Sequence, residues 1–238
     1  MNILALDTSS DACSAAVLCG ENGETCFTEF TVEPRAHTRL ILPMVESVLQ
    51  QAGLTLQDMD ALTFGRGPGA FTGVRIATGV VQGLALAAGK PVIPVSTLAA
   101  IAQQAYQQQQ AEKVLVAVDA RMGEVYWGQY QLAGTVMQLQ GGELVLAPAD
   151  APLPGSAESA GSDWLAAGSG WREYAQVLQP RFADYVSAYQ ADWLPAAEYI
   201  ARLALDGWKR GEAVDAELAQ PVYLRNKVAQ TIRERAAR

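Results

Sequence analysis

Two stretches lying far apart in this 238-residue chain are built alike. Ile3–Leu6 is a short apolar run that ends in Asp7, and the small, apolar Ala12–Leu18 follows the turn residues Thr8, Ser9 and Ser10; Val114–Val118 likewise ends in Asp119, with Val125–Tyr130 behind it. Apolar runs of this length, bounded by turn residues, read as strand, turn and returning strand. One aspartate closing a strand needs no explanation beyond its habit of bonding its own backbone. Two in matching contexts constrain the chain to a duplicated architecture, in which each of two lobes opens with a strand, an aspartate and a hairpin.

A second constraint lies between the copies. Asp60–Phe64 reads as a strand feeding Gly65-Arg66-Gly67-Pro68-Gly69-Ala70-Phe71-Thr72-Gly73-Val74-Arg75, four of whose eleven residues are glycine. Such a turn needs positive φ or close approach to another group. A helix is predicted from Phe71 to Ala88, stopped by Gly89 with Pro91 beyond. Gly73, Gly79 and Gly83 inside it cost roughly 1 kcal/mol each relative to alanine, so another backbone is expected against the glycine face, from this chain or from a partner. A glycine-rich turn opening a helix is also a phosphate cradle, to which Arg66 and Arg75 would add charge. However, no Gly-Lys-Ser/Thr follows and the full Gly-x-Gly-x-x-Gly spacing is missing, so the packing reading is preferred.

A chain of this length suits one large domain or two lobes, and with 50% hydrophobic and 18% charged residues it has enough apolar material for a core. The net charge of −8 opposes unaided binding to nucleic acid or to an anionic membrane. Cys13, Cys19 and Cys26 are odd in number and match no zinc spacing, which reads as reduced thiols in a cytosolic protein. The N-terminus lacks a basic n-region, and Gly, Gln and Thr interrupt the richest apolar stretch, Ile76–Ala88. A cytoplasmic location without a membrane span is expected.

Between these landmarks, Thr25–Val32 reads as a third strand and Thr38–Ala52 as a helix closed by Gly53. Its apolar stripe, Leu40, Ile41, Met44, Val45, Val48, Leu49 and Ala52, is wider than one-sided burial needs, which fits either a wide core stripe or a second edge facing a partner helix. Pro43 should place the helix start near Arg39 or Leu40. Val92–Val95 is a strand, Ser96 caps a helix over Thr97–Tyr106, and the polar run Gln107–Gln110 is taken as the connector between lobes 1–106 and 111–238. In the second lobe a third strand is expected over Val136–Gln140 or Glu143–Leu146, a loop over Ala147–Ser162, and a short strand over Leu165–Ala167. The small-residue turn Gly168-Ser169-Gly170-Trp171 follows. A helix over Pro195–Arg210 should pack through Tyr199, Ile200, Leu203, Ala204 and Trp208. The tail Ala219–Arg225 reads as extended and free to return to the first lobe, and the charged end Arg233–Arg238 as mobile.

Groups able to do chemistry are few. The single histidine, His37, opens a helix, where a cap or surface contact is commoner than catalysis, and no metal spacing surrounds it. Nothing resembles a nucleophile elbow. No metal or cofactor is expected.

Two lobes that each begin with a strand, an aspartate and a hairpin resemble the actin-like superfamily that includes sugar kinases and Hsp70. The resemblance implies an α/β fold with a mixed sheet flanked by helices in each lobe. It also implies a cleft between the aspartate turns, where Asp7, Thr8, Asp119, Gly168 and Gly170 are candidates for a residual nucleotide site. More specifically, Gly65–Ile76 together with Leu4-Ala5-Leu6-Asp7-Thr8-Ser9 resembles the bacterial TsaB (YeaZ) family. His37-Thr38-Arg39, Leu42–Val45, Asp119–Trp127, Gly168–Trp171 and Pro221–Arg225 fit as well. Ala70 stands where that family usually has serine. The family acts in making threonylcarbamoyladenosine, the modified base beside the anticodon of tRNAs reading codons that begin with A. The resemblance implies a non-catalytic scaffold or activator of the catalytic sister TsaD, with the ATPase TsaE joining through the pair and tRNA bound only indirectly. TsaD carries two metal-binding histidines four residues apart; Thr97 and Ile101 occupy those positions here, and neither replaces an imidazole. The pairing surface implied is the two N-terminal-lobe helices, through Leu40, Ile41, Met44, Val45 and Val48 on one and Phe71, Val74, Arg75, Thr78, Val81 and Gln82 on the other. The same surface alone should form a homodimer, and Val74→Arg or Val81→Glu should abolish pairing in a folded monomer. An ATP-dependent phosphotransferase and a glycoprotease-like metalloenzyme are the rival readings.

Overall fold

The structure is a computed structural model in which residues 1–155 and 163–225 are described. Strands β1 (Asn2–Asp7) and β2 (Ala12–Cys19) pair antiparallel, and β3 (Thr25–Val32) pairs antiparallel with β2. On the other side of β1, β4 (Ala61–Gly65) and then β5 (Val92–Val95) add in parallel, giving the order β3-β2-β1-β4-β5. The second sheet repeats this plan. Its strands are β6 (Lys113–Arg121), β7 (Glu124–Ala133), β8 (Val136–Leu146), β9 (Trp164–Ala167) and β10 (Val186–Gln190), in the order β8-β7-β6-β9-β10. The first two pairings are again antiparallel and the last two parallel. The echo around Asp7 and Asp119 is therefore a duplication of whole sheets, the two-lobe α/β plan that the repeat predicts.

Six α-helices accompany the sheets among the described residues: α1 (His37–Ala52), α2 (Phe71–Ala88), α3 (Thr97–Gln109), α4 (Gly170–Glu173), α5 (Ala175–Arg181) and α6 (Ala197–Lys209). α1 and α2 cover one face of the first sheet, where Ile41, Val45, Val48, Ala77, Val81 and Ala85 meet Leu4, Leu6, Val17 and Phe64. α4 and α5 cover one face of the second sheet around Trp127, Trp171 and Phe182. The two remaining helices are exchanged. α3 follows the first sheet in sequence but packs Leu98, Ile101, Ala102 and Ala105 against Val114, Val116, Tyr130 and Met137 of the second. α6 follows the second but packs Ala197, Ile200, Ala201 and Ala204 against Ile3, Ala5, Ala16 and Leu18 of the first. The two helices pack on each other between the sheets.

Several local expectations change. α1 begins at His37, two turns ahead of Pro43 rather than close before it. The missing proline N–H leaves the Arg39 carbonyl without its helical donor, but Arg39 and Pro43 are both exposed, so water can serve it. Gln107–Gln109 is the last turn of α3, and Gln110 closes the helix in the left-handed conformation, φ 55°. The alternatives for a third strand in the second half merge into one long strand, β8. β10, α4 and α5 had no counterpart in the sequence reading. By length and composition α2 is apolar enough to cross a membrane, contrary to expectation, yet its inner face is packed on the first sheet. Residues 156–162 of the expected loop and the charged end 233–238 lie outside the described residues.

Candidate functional site

The glycine turn is built around the β1–β2 turn of its own lobe. A Cβ on Gly65 would overlap the Asp7 carboxylate, and one on Gly73 would overlap the Thr8 carbonyl; at Gly69 it would stand 2.5 Å from the Ser9 carbonyl oxygen. Gly67 takes φ +95°. The Ala70 N–H donates to the Ser9 carbonyl at 2.7 Å and the Thr8 hydroxyl to the Gly73 carbonyl at 2.7 Å. From the other side, Thr97 Oγ1 donates to the Pro68 carbonyl at 2.5 Å. The groups that keep Gly65, Gly69 and Gly73 small are thus the chain's own, the Asp7 carboxylate and the Ser9 and Thr8 backbone, which favours packing over a phosphate cradle. Asp7 is fully buried; Oδ1 accepts from the Ser9 amide at 3.0 Å and hydroxyl at 2.9 Å, while Oδ2 has no partner among the described residues. Burial pushes its carboxyl up to about 7, against the pull of the two Ser9 bonds.

The second lobe repeats the arrangement. Gly168, at φ +99°, and Gly170 lie so close to Ala117 in the middle of β6 that a Cβ would stand 2.6 and 3.0 Å from its backbone. Ser169 Oγ accepts from the Asp119 amide at 3.1 Å. The Asp119 carboxylate accepts from Tyr174 Oη at 3.0 Å and pairs with Arg121 at 3.0 Å. Each lobe therefore brings its own aspartate and glycine turn together. The C-terminal segment links the lobes. Gln82 Nε2 donates to the Ala219 carbonyl and the Val222 amide to the Arg66 carbonyl, and Arg225 pairs with Glu124, its Nε 3.0 Å from Oε2. Tyr223 packs on Phe71, ring centroids 5.8 Å apart, with the Arg75 guanidinium 3.3 Å from the Phe71 centroid. A return of the tail to the first lobe was among the sequence expectations; its aromatic stack on Phe71 was not.

The α1–α2 face differs from the pairing surface expected. Ile41, Met44, Val45, Val48, Val74, Thr78 and Val81 are buried in the first lobe's own core, and Leu40 packs partly against it. Gln82 is engaged by the strap, Arg75 covers Phe71, and Phe71 itself is 54% exposed. What faces outward is the other edge of each helix. An open groove of about 460 Å³ is lined by Leu42, Glu46, Leu49, Leu54 and Leu84, with Val45 of the expected surface at its base. On α2 a side chain on Gly79 or Gly83 would touch nothing, and Leu42 of α1 and Leu86 of α2 are 52% and 79% exposed. Val74→Arg and Val81→Glu would therefore place charge in the core instead of testing a surface.

A family profile described as TsaD, tRNA N6-adenosine threonylcarbamoyltransferase, matches residues 31–232. A protein of Escherichia coli K12 named tRNA threonylcarbamoyladenosine biosynthesis protein TsaB is 42% identical over 230 residues, 96% of both chains. Its namesake in Haemophilus influenzae is 38% identical over 234 residues, 96% of this chain and 95% of that one. The solved structure of YeaZ from Pseudomonas aeruginosa superposes with a TM-score of 0.85 at 49% identity, covering 94% of this chain and 99% of that one. The chain belongs to the TsaB (YeaZ) family.

Thr97 and Ile101, the positions at which the resemblance implied that TsaD's histidines are replaced, are both engaged within the fold. Thr97 gives its hydroxyl to Pro68, and Ile101 is fully buried in the core between α3 and the second sheet. Among the described residues no three His, Cys, Asp or Glu side chains converge as metal ligands. His37 Nε2 lies 2.8 Å from the Ser10 carbonyl and ties α1 to the β1–β2 turn. Burial pushes the Cys13 thiol up to about 11 and that of Cys26 to about 12, so both stay protonated at neutral pH.

Proposed function

We propose that this chain acts in threonylcarbamoyladenosine biosynthesis as a non-catalytic scaffold: it docks on the catalytic sister TsaD, and the pair then receives the ATPase TsaE. The observation that carries the reading is the outward surface of α1 and α2, which offers an apolar groove, the exposed Leu42 and Leu86, and two glycines with open space above them. Interior helix glycines with no intrachain reason for being small suit close approach by a second helix, and exposed leucines beside them suit an apolar partner. The relatives' shared name supports the pathway, and the net charge of −8 supports indirect contact with tRNA. In the absence of TsaD, the same face pairs two copies of the chain.

The test is threonylcarbamoyl transfer to tRNA rebuilt from purified components, with the chain present or left out. Product that depends on the chain, from a chain inert by itself, is the expected result. Unchanged product on omission rejects the scaffold role, and saturable ATP binding that Asp7→Ala abolishes would then favour a phosphotransferase.

A further inference from the structure

The strap runs from the neighbourhood of one aspartate turn to the other. The Val222 amide donates to the Arg66 carbonyl at 2.8 Å, and Arg66 directly follows Gly65, the glycine pressed onto the Asp7 carboxylate. The Val222 carbonyl oxygen lies 3.1 Å from where a Cβ on Gly67 would stand. Further along, Arg225 reaches the turn between β6 and β7. Its guanidinium pairs with Glu124, donates to the Arg121 carbonyl at 3.3 Å and approaches Met122 Sδ at 3.7 Å. The Arg121 side chain in turn pairs with Asp119 at 3.0 Å.

The turn that Arg225 holds is strained. Arg121 and Met122 take φ of 62° and 59°, ahead of Gly123 at 78°. The left-handed region costs energy in residues other than glycine, and tight hairpin turns of this kind usually place Asn or Asp before the glycine. Two groups offset the cost here. Asp119 Oδ1 accepts from the Arg121 amide at 2.8 Å, and Arg225 takes the Arg121 carbonyl. Asp119 belongs to the same hairpin, whereas Arg225 arrives from the far end of the chain. Its side chain is only 18% exposed, so the pair with Glu124 is better shielded from water than an open surface pair.

We propose that the strap is a clasp. With Arg225 on the β6–β7 turn, the two aspartate turns are held at their observed separation; its release lets that turn relax and the lobes part about α3 and α6, widening the space between the turns. None of these contacts uses the α1–α2 groove, so the clasp stands or falls independently of docking there.

The test compares the full chain with Arg225→Ala and with Arg225→Lys, which keeps the charge but not the fork that serves both Glu124 and the Arg121 carbonyl. In hydrogen–deuterium exchange, Arg225→Ala should speed exchange about tenfold in peptides covering 66–70 and 119–125 as well as in the strap, while β2 and β9 exchange as in the parent and Arg225→Lys falls between. Pulsed EPR gives the lobe separation, with spin labels on the exposed Asp11→Cys and Gln176→Cys, one in each lobe, in a chain whose Cys13, Cys19 and Cys26 are alanine. Adding Arg225→Ala should lengthen and broaden that distance. Faster exchange confined to the strap overturns the proposal, because the turns then do not depend on Arg225. Faster exchange spread equally over β2 and β9 also overturns it, because Arg225 then supports the whole fold. So does an unchanged distance in the folded, labelled chain.

Discussion

At the scale of the residue, Asp7 couples the fold to pH. Its carboxyl titrates near 3.8 when exposed and near 7 when folded, so the folded chain binds the extra proton between those values. The carboxyl's favourable contribution is complete below about pH 4 and is lost as pH rises through 7. Measured by denaturant unfolding, the stability of Asp7→Asn relative to the parent should rise between pH 4 and pH 8, by on the order of 4 kcal/mol if the full shift is expressed. A difference flat with pH would mean that the carboxylate is solvated or paired when folded. Asp7 was legible as the end of a strand, but its isolation was not, because burial by Gly65 and Thr97 comes from segments remote in sequence.

Elements were legible to different degrees. α2 has the bounds read from Phe71 and Gly89, because a turn rich in glycine and proline and a left-handed C-cap are local signals. Its glycines looked equivalent and are not: Gly73 meets the Thr8 backbone, whereas Gly79 and Gly83 meet nothing. Gly83→Ala should therefore stabilise the isolated chain by about 1 kcal/mol, seen as a rise of roughly 2–4 °C in Tm, while Gly73→Ala should lower Tm despite its better helix propensity. Gly83→Arg should fold, yet lose co-purification with TsaD; Val81→Glu should fail to fold, because it buries a carboxylate. A Gly83→Arg chain that still captures TsaD would exclude this edge as the docking face. The periodicity of α1 identified a wide apolar stripe without saying which edge was inward.

For the whole molecule, the duplicated sheets were legible in the echo of Asp7 and Asp119, and the exchange of α3 and α6 was not. An amphipathic stripe such as Ile200, Ala201 and Ala204 reports that a helix is buried, never against which sheet. The exchange makes each half depend on the other. A fragment of residues 1–110 should lack a cooperative unfolding transition, and a peptide of residues 195–225 added in trans should restore one; a fragment that melts cooperatively alone would contradict this dependence. The strap adds a second tie, through Val222 on Arg66 and Arg225 on Glu124.

The exchange also sets a schedule for synthesis. On a ribosome the first sheet is complete in its strands once Val95 has emerged, yet the face holding Ile3, Ala5, Ala16 and Leu18 stays bare until α6 follows, after more than a hundred further residues. For that interval the nascent chain carries an unfinished apolar surface of the kind that chaperones recognise, so translation speed between the two lobes bears on yield even though no residue of the mature fold is changed.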